Sequence, residues 1–394
     1  MIDVYWSKLS KYMLEWLIKK YVSASGFGSE AIDPDTGSGE SSAYYSKLHK
    51  NTIASIELKS EYSIKYIKAL ETYNAGIKTD HGIGALLYAL YYLYDKLGDK
   101  NAYDTAINYI NIIKNNLASS GLPYGQYDLD AGTPVTSAIN VRISYLMHLI
   151  GAISLFDNDF AKTLYGKIPK VNEILAPAID VTTGSASYTE DDMFAIYLAP
   201  AIMYHAYLVN QDVFWKTESE SQSDLLLQYG WDGTTIRIFD PSTLTQITNQ
   251  YFNVYELYFA RYLALRYQYT GDDSFLDKAK KITMYAIHNN VIDGYIIERS
   301  GYNSTTVYKP LPEHFDALHH LYIVTLDERF KALSRSLIWT IWTQLRRSYD
   351  IADYDGTAYS SNGYSTETLL INYMIENDIK ATYDLFTEMI IPLQ

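Results

Sequence analysis

Three consecutive acids, Glu190-Asp191-Asp192, stand where a polar loop gives way to the apolar run Met193-Phe194-Ala195-Ile196-Tyr197-Leu198. Cleavage of a glycosidic bond needs two carboxyls in different protonation states flanking that bond. Adjacent aspartates repel, which can push one up into an acid and leave the other charged. The triplet would serve equally well as a helix cap, because acids complement the positive end of a helix dipole. Asp80-His81 is a second candidate, since an imidazole beside a carboxyl can shuttle a proton. His314, with His319 and His320 a turn or so on, supplies possible partners. The same residues would also fit a capping Asp and a satisfied histidine. Glu313 and Asp128 are the fallback partners for the aspartate pair. Tyr124, Tyr127, Trp231 and Tyr302 offer stacking platforms for sugar rings, and Asp80, His81, Tyr188, His314 and Asn362 complete the substrate-binding candidates. His148 and His205 lie within apolar runs and read as core.

These residues lie on loops, and a repeat delivers the loops. From Lys78 onward a Gly- and Asp-bearing loop opens a very apolar helix, a tight polar turn follows, then a more charged helix, then another long loop. The apolar helices begin near Thr79, Thr136, Thr189, Asn249, Pro312 and Tyr364, separated by 52 to 63 residues by difference of those positions. That spacing suits two helices and two connections. Tight turns fall at Gly98-Asp99-Lys100, Asp157-Asn158-Asp159, Asn210-Gln211-Asp212, Thr270-Gly271-Asp272-Asp273, Asp327-Glu328 and Asn377-Asp378. A helix such as Ile83-Gly84-Ala85-Leu86-Leu87-Tyr88-Ala89-Leu90, apolar on every face, must be buried on every face. One such as Asp273-Ser274-Phe275-Leu276-Asp277-Lys278 carries a single apolar stripe. The expected fold is therefore all-α: a six-hairpin α/α toroid, a closed double ring of inner and outer helices spanning 78–394. An open superhelix of helix pairs is the alternative, but its connections would be short on both sides. Residues 1–77 add helices at roughly 2–21 and 50–72 with a Gly/Ser-rich loop between them, packed on the toroid as one structural unit. In such a ring the long loops gather at the starts of the inner helices, where free N–H groups converge.

Composition narrows the chemistry. Of 394 residues, 46 are acidic and 32 basic, for a formal charge of −14, and no basic stripe is visible. Nucleic acid is a disfavoured partner. The absence of cysteine removes disulfides, thiolate zinc sites and cysteine nucleophiles. Asp128-Leu129-Asp130 and Asp33-Pro34-Asp35 lack the ligand series of a calcium loop and read as solvated turns. No metal and no cofactor is implied. No apolar run approaches a membrane span, and the N-terminus reads as an amphipathic helix and not a signal peptide, so the default expectation is cytoplasmic. The 40 tyrosines decide nothing alone. Acids and tyrosines without thiols point to a carbohydrate cleft. The oligomeric state is not legible.

Six α/α hairpins of this spacing resemble the six-hairpin glycosidase superfamily, from Lys78 to the C-terminus. Within it, the endo-α-1,6-mannanase family carries a consecutive Asp-Asp pair at an inner-helix start, to which Asp191-Asp192 is similar. The resemblance implies Asp191 as nucleophile and Asp192 as acid/base in a retaining reaction. That family has an aromatic residue just before the pair, where this chain has Glu190. Terpenoid cyclases also use helical toroids, but their acidic motifs would place acids at Ala195 or Ala131. The expectation is a glycoside hydrolase cleaving a neutral oligo- or polysaccharide with paired carboxylates. The alternatives are a non-catalytic glycan-binding or structural toroid, and a sugar epimerase that uses loop histidines.

Overall fold

A computed structural model describes residues 2–23, 31–32, 35, 39–40, 47–71, 76–247, 253–292, 295–300, 303–308, 311–348, 351, 353–354, 359–360, 365–384 and 389–392. The α-helices in chain order are α1 (Ile2–Ser23), α2 (Lys47–Glu57), α3 (Ser63–Glu71), α4 (Asp80–Leu97), α5 (Lys100–Asn115), α6 (Ile143–Ser154), α7 (Asn158–Tyr165), α8 (Ala199–Asn210), α9 (Val213–Gly230), α10 (Asn253–Thr270), α11 (Asp273–Asn290), α12 (Pro312–Thr325), α13 (Glu328–Gln344) and α14 (Ser365–Glu376). The chain divides into two compact units. Unit 1 holds Met1–Thr72, Tyr251–Leu385 and Pro392–Gln394, and unit 2 holds Tyr73–Gln250 and Phe386–Ile391.

In unit 2 the helices pair as α4–α5, α6–α7 and α8–α9, and the first member of each pair packs on the next, α4 on α6 and α6 on α8. Those first members are covered on nearly all faces: eleven of the twelve residues of α6 are buried. The second members bury one stripe, as α5 does with Ala102, Ala106, Ile110 and Ile113, a spacing of three to four residues. Short strands line the starts of the covered helices: Ile77–Thr79 pairs with Gln126–Asp128, and Asn140–Arg142 with Ala178–Asp180.

Unit 1 follows the same rule. Helices α10–α11 and α12–α13 pair, α10 packs on α12, and α12 on α14. The segment after α14 is the strand Ala381–Asp384, and the helix lying along α14 is α1. Helix α2 pairs with α3 and also packs on α14. The N-terminal helices thus join the helical layers of this unit. Extended segments run in the order 291–292, 295–300, 303–308, 353–354 and 359–360, each antiparallel to the next.

Five of the six expected turns join two helices, using one or both of two devices, while the sixth, Asn377-Asp378, leads into the strand Ala381–Asp384 where a second helix was expected. An Asp side chain accepts the first free amides of the second helix: Asp99 from Asn101 and Ala102, Asp157 from Phe160, Asp212 from Phe214, Asp272 from Ser274, Asp327 from Arg329. In four of these turns a residue in the left-handed region ends the first helix: Gly98, Gln211, Gly271 and Leu326.

Three local expectations need correction. The helix read over 50–72 is two, because Lys59 takes a left-handed φ of 52° and the Ser60 hydroxyl accepts the Tyr62 amide, starting α3 afresh. The helix expected from Thr136 starts only at Ile143, since Asn140–Arg142 is committed to strand pairing. The run after Thr189 is a 3₁₀ helix, Glu190–Leu198, before α8 begins at Ala199. Pro200 has no N–H for the residue 196 carbonyl and its ring crowds that oxygen, which disfavours a continuous α-helix and suits the first turn of α8. The 190–210 segment is long and apolar enough to cross a membrane, contrary to the sequence reading, but 78% of its apolar window is buried inside the protein.

Two glycines set how closely α4, α6 and α8 approach. A Cβ on Gly84 would sit 2.5 Å from His148 Nδ1, and one on Gly151 would sit 2.6 Å from the Tyr88 hydroxyl and 2.8 Å from Ile202. Gly151→Ala should therefore destabilise unit 2 by about 1–3 kcal/mol of overpacking, measured by urea denaturation. Tyr88→Phe in the same chain should recover part of that loss, because it removes the atom in closest conflict. Additive losses would show that the helices simply move apart.

Candidate functional site

In unit 1, four neighbouring covered helices carry an ionisable residue near their start: Glu256 on α10, Glu313 on α12, Glu367 on α14 and Lys50 on α2. Helices α10, α12 and α14 are each separated by one hairpin partner, so they run in the same direction. The start of α2 meets the start of α14 through two contacts. Lys50 forms an ion pair with Glu367 Oε1, and the Thr366 hydroxyl donates to Asn51 Oδ1 at 2.8 Å. All four ionisable side chains are withdrawn from solvent, with exposures of 8%, 5%, 2% and 1% in the order given. Glu367 Oε2 is buried and has no hydrogen-bond partner among the described residues.

One turn below lies a second charged group. Arg261 Nη1 donates to Asp316 Oδ2 at 2.9 Å, and His320 Nδ1 lies 3.2 Å from Asp316 Oδ1 and 2.8 Å from the Asp316 carbonyl. Burial works against the Asp316 charge, but Arg261 and then His320 outweigh it and hold the carboxyl below its usual range. The Arg261 guanidinium also sits 5.2 Å from the Tyr258 ring centre. Burial first, and the Glu313 carboxylate next, raise the Tyr258 phenol well above its usual value, with Asp316 and Glu367 adding and Arg261 opposing. The phenol is thus held in its protonated form near carboxylates.

Of the residues expected in this unit, Glu313 joins the cluster. His314 is fully buried, and burial pushes its pKa down to about 3; neither ring nitrogen has a partner among the described residues. The structure thus places His314 as a neutral imidazole enclosed in the core. His319 is likewise pushed down to about 3, chiefly by burial and then by His320. Tyr302 and Asn362 lie outside the described residues. Glu256, Glu367 and Lys50 were not among the residues expected at the site. The available signal was one acid in the first turn of each apolar helix.

Unit 2 carries its own polar groups at the starts of α4 and of the 190–198 helix. Asp80 is the first residue of α4; its amide donates to the Gly125 carbonyl at 2.9 Å and its Oδ1 accepts the His81 amide at 2.8 Å. Burial raises its carboxyl to about 7, with the His81 amide opposing. His81 is half-buried, with its ring 4.7 Å from His148 and 5.3 Å from Tyr145. Burial, then His81, keep His148 well below its usual value. Tyr127 is not a platform. Its ring is fully buried, and its hydroxyl donates to the Asn116 carbonyl at 3.1 Å and accepts the Tyr124 amide at 3.2 Å. Tyr124 is half-buried beside it. Asp128 Oδ1 accepts the amides of Asp130 and Ala131, which makes it a turn former. Trp231 is half-buried at the end of α9.

The acidic triplet is also placed. Asp191 is exposed. Asp192 Oδ1 accepts Arg142 Nε at 2.6 Å, while Oδ2 accepts the Thr189 amide at 3.0 Å and the Thr189 hydroxyl at 2.9 Å. Both oxygens of Asp192 are therefore engaged in a capping box and an ion pair. The Tyr188 hydroxyl donates to Asp240 Oδ1 at 3.3 Å.

The Asp80 carboxyl makes a measurable demand on the fold. Its folded value of about 7 exceeds the unfolded value of 3.8, so the folded state binds this proton more tightly. Its contribution to stability is full below pH 4 and is lost as pH rises to about 7. Stability against pH for Asp80→Asn should lack that decline, a difference of order a few kcal/mol. Parallel curves for the two proteins would show that Asp80 titrates normally.

No family model and no curated protein sequence matches the chain. Solved structures do. Alpha-1,2-mannosidase from Trichoderma reesei aligns with a TM-score of 0.81 at 10% identity, over 97% of this chain and 98% of that one. D-mannose isomerase aligns at 0.63 and 13% identity, over 93% and 98%. An alpha-1,6-mannanase from Salegentibacter sp. HEL1_6 aligns at 0.53 and 10% identity, over 93% and 98%. At these identities the likeness is one of fold, and the fold of this chain is the α/α toroid shared by glycosidases and sugar epimerases.

Proposed function

We propose that the chain is a glycoside hydrolase acting on a neutral oligo- or polysaccharide, with mannosides the first substrates to try. The observation that carries this reading is the set of glutamates, Glu256, Glu313 and Glu367, buried in the first turns of three successive helices of unit 1. Carboxyls held out of water are costly and need a reason. Glycosidic cleavage is one: it needs an acid and a base or nucleophile fixed around a single bond. Glu313, beside the Tyr258 phenol, and Glu367, its charge paired by Lys50, are the proposed carboxyl pair. Asp191 and Asp192 then serve the start of the 190–198 helix and the Arg142 contact. The names of the structural neighbours, two of them enzymes of mannosides and one of mannose, support the choice of sugar.

A second reading has one observation in its favour. Asp80, with its carboxyl near 7, lies beside half-buried His81, an arrangement suited to moving a proton at a sugar carbon. Product analysis separates the two readings, because a hydrolase releases a reducing end and an epimerase or isomerase changes only the sugar's configuration or carbonyl position.

The test is a screen of α-mannobiosides and other defined oligosaccharides for hydrolysis. Glu313→Gln and Glu367→Gln should each lower kcat by about 10²–10⁴-fold; Glu313→Gln should melt at or above wild type, whereas Glu367→Gln, which leaves Lys50 buried without its partner charge, should melt lower. Asp191→Asn should keep turnover near wild type. Full activity in both glutamine variants would sink the carboxyl assignment, and a screen with no cleaved glycan would sink the hydrolase reading.

A further inference from the structure

Unit 2 contains a cavity of about 350 Å³ that the proposed reaction does not use. Its floor is the strand pairing of Asn140–Arg142 with Ala178–Asp180, and its wall is the segment Ser187-Tyr188-Thr189 with Asp192. This volume lies near the lower end of small-ligand pockets, roughly 300–1,000 Å³, and suits one or two pyranose rings.

The lining is built and held in place. Asp192 is fixed by Arg142 and by both Thr189 donors, as described, so the guanidinium is locked by its Nε contact and by its position 5.6 Å from the Phe194 ring centre. The Arg142 side chain nevertheless keeps 38% of its surface exposed. The Ser187 amide donates to the Ala178 carbonyl at 2.9 Å, which ties the wall to the floor. Tyr188 is oriented by its hydroxyl bond to Asp240. An aromatic ring, an amide, a hydroxyl and a fixed guanidinium–carboxylate pair around one small cavity form the surface that a sugar needs. The planar groups match vicinal hydroxyls and the ring matches a C–H face.

We propose that this cavity is a binding subsite for a neutral pyranose, recognised through a vicinal diol by Asn140 and Arg142 and stacked against Tyr188. Charge decides the class. Arg142 is already paired with Asp192, Glu190 and Asp191 adjoin the lining segment, and Asp240 meets it through the Tyr188 hydroxyl, so a phosphate or uronate would meet more negative charge than positive. The inference rests on the glycoside reading only for the kind of ligand; binding here does not require hydrolysis.

Calorimetric titration of Glu313→Gln with methyl α-mannoside and with α-mannobiose tests it, because this parent variant should not consume its ligand. Binding should be weak, roughly millimolar for so small a ligand. Ser187→Trp, at an exposed position outside the ion pair, should fill the cavity and weaken binding by about tenfold or more. Arg142→Ala should do the same, and Ser187→Trp keeps the test intact if loss of the ion pair unfolds the protein. Mannose 6-phosphate and glucuronate should bind no better than the neutral sugars. Equal binding by the parent and a folded Ser187→Trp variant, or tighter binding of the anionic sugars, would overturn the inference. Loss of binding in Ser187→Trp with no wild-type hydrolysis of any glycan would leave the subsite standing and remove the hydrolase. Normal hydrolysis with unchanged Ser187→Trp binding would do the reverse.

Discussion

A helix covered on every side can meet water only at its ends, and that constraint arranges the chemistry of both units. Helices α4, α6, α12 and α14 are buried along most of their lengths, so polar side chains in their middles must find partners inside the protein. Asp316 does so with Arg261 and His320. Groups that are to face a ligand are left with the first turn, where chain arriving from a loop opens the packing. Asp80, Glu313 and Glu367 all sit in first turns. The helix start also suits an acid electrostatically, since its free amides and dipole favour negative charge. Burial and helix field act on such a carboxyl in opposite directions, and local contacts decide the outcome. At Asp80 burial dominates, with only the amide hydrogen bonds opposing it.

The N-terminal helices are part of that arrangement. Helix α2 has the composition of a surface helix, with His49, Lys50, Asn51, Thr52 and Ser55, yet all five are buried. Its hydroxyls turn back on the helix: Thr52 donates to the Leu48 carbonyl and Ser55 to that of Thr52. Lys50 and Asn51 reach α14 instead. At the other end of α14, Arg335 donates to both oxygens of Glu376 and to Asp3 of α1, and the Ser7 hydroxyl donates to Asn377. These bonds fix α14 at its start to α2 and at its finish to α1. The register that presents Glu367 to Lys50 is therefore set at both ends of the helix.

Much of the architecture was legible because it rests on local chemistry. The alternation of all-apolar with single-stripe helices, and the Asp caps at residues 99, 157, 212, 272 and 327, are properties of a few adjacent residues each. What was not legible depends on distant partners. Nothing within 47–57 says that a polar helix will be buried, because its satisfaction comes from α14, more than 300 residues away. Nothing within 186–192 says that Asp192 will be consumed by Arg142, fifty residues earlier. Tyr127 reads as an aromatic on a loop, and only the Asn116 carbonyl makes it an internal bolt. The break at Lys59 turns on a left-handed backbone that the sequence does not advertise, since lysine has no preference for it.

Adjacent acids are conspicuous in a sequence, but adjacency alone does not show that they face one bond. Two aspartates on consecutive positions of a helix start point in different directions, and here one is exposed while the other is fully committed to hydrogen bonds. Carboxyls meant to act on the two sides of one bond come more naturally from separate helices, each rigid and each offering one side chain from its first turn. That places them far apart in the chain, so their only sequence signature is one acid at each apolar-helix start. Energetics point the same way. An exposed or capped acid costs the fold nothing and calls for no further explanation. Glutamates withdrawn from water in three neighbouring helices, with a lysine pairing one of them, oppose folding. Local choices that oppose stability together, in one place, are the pattern expected of a functional site, and they are what the proposed carboxyl pair rests on.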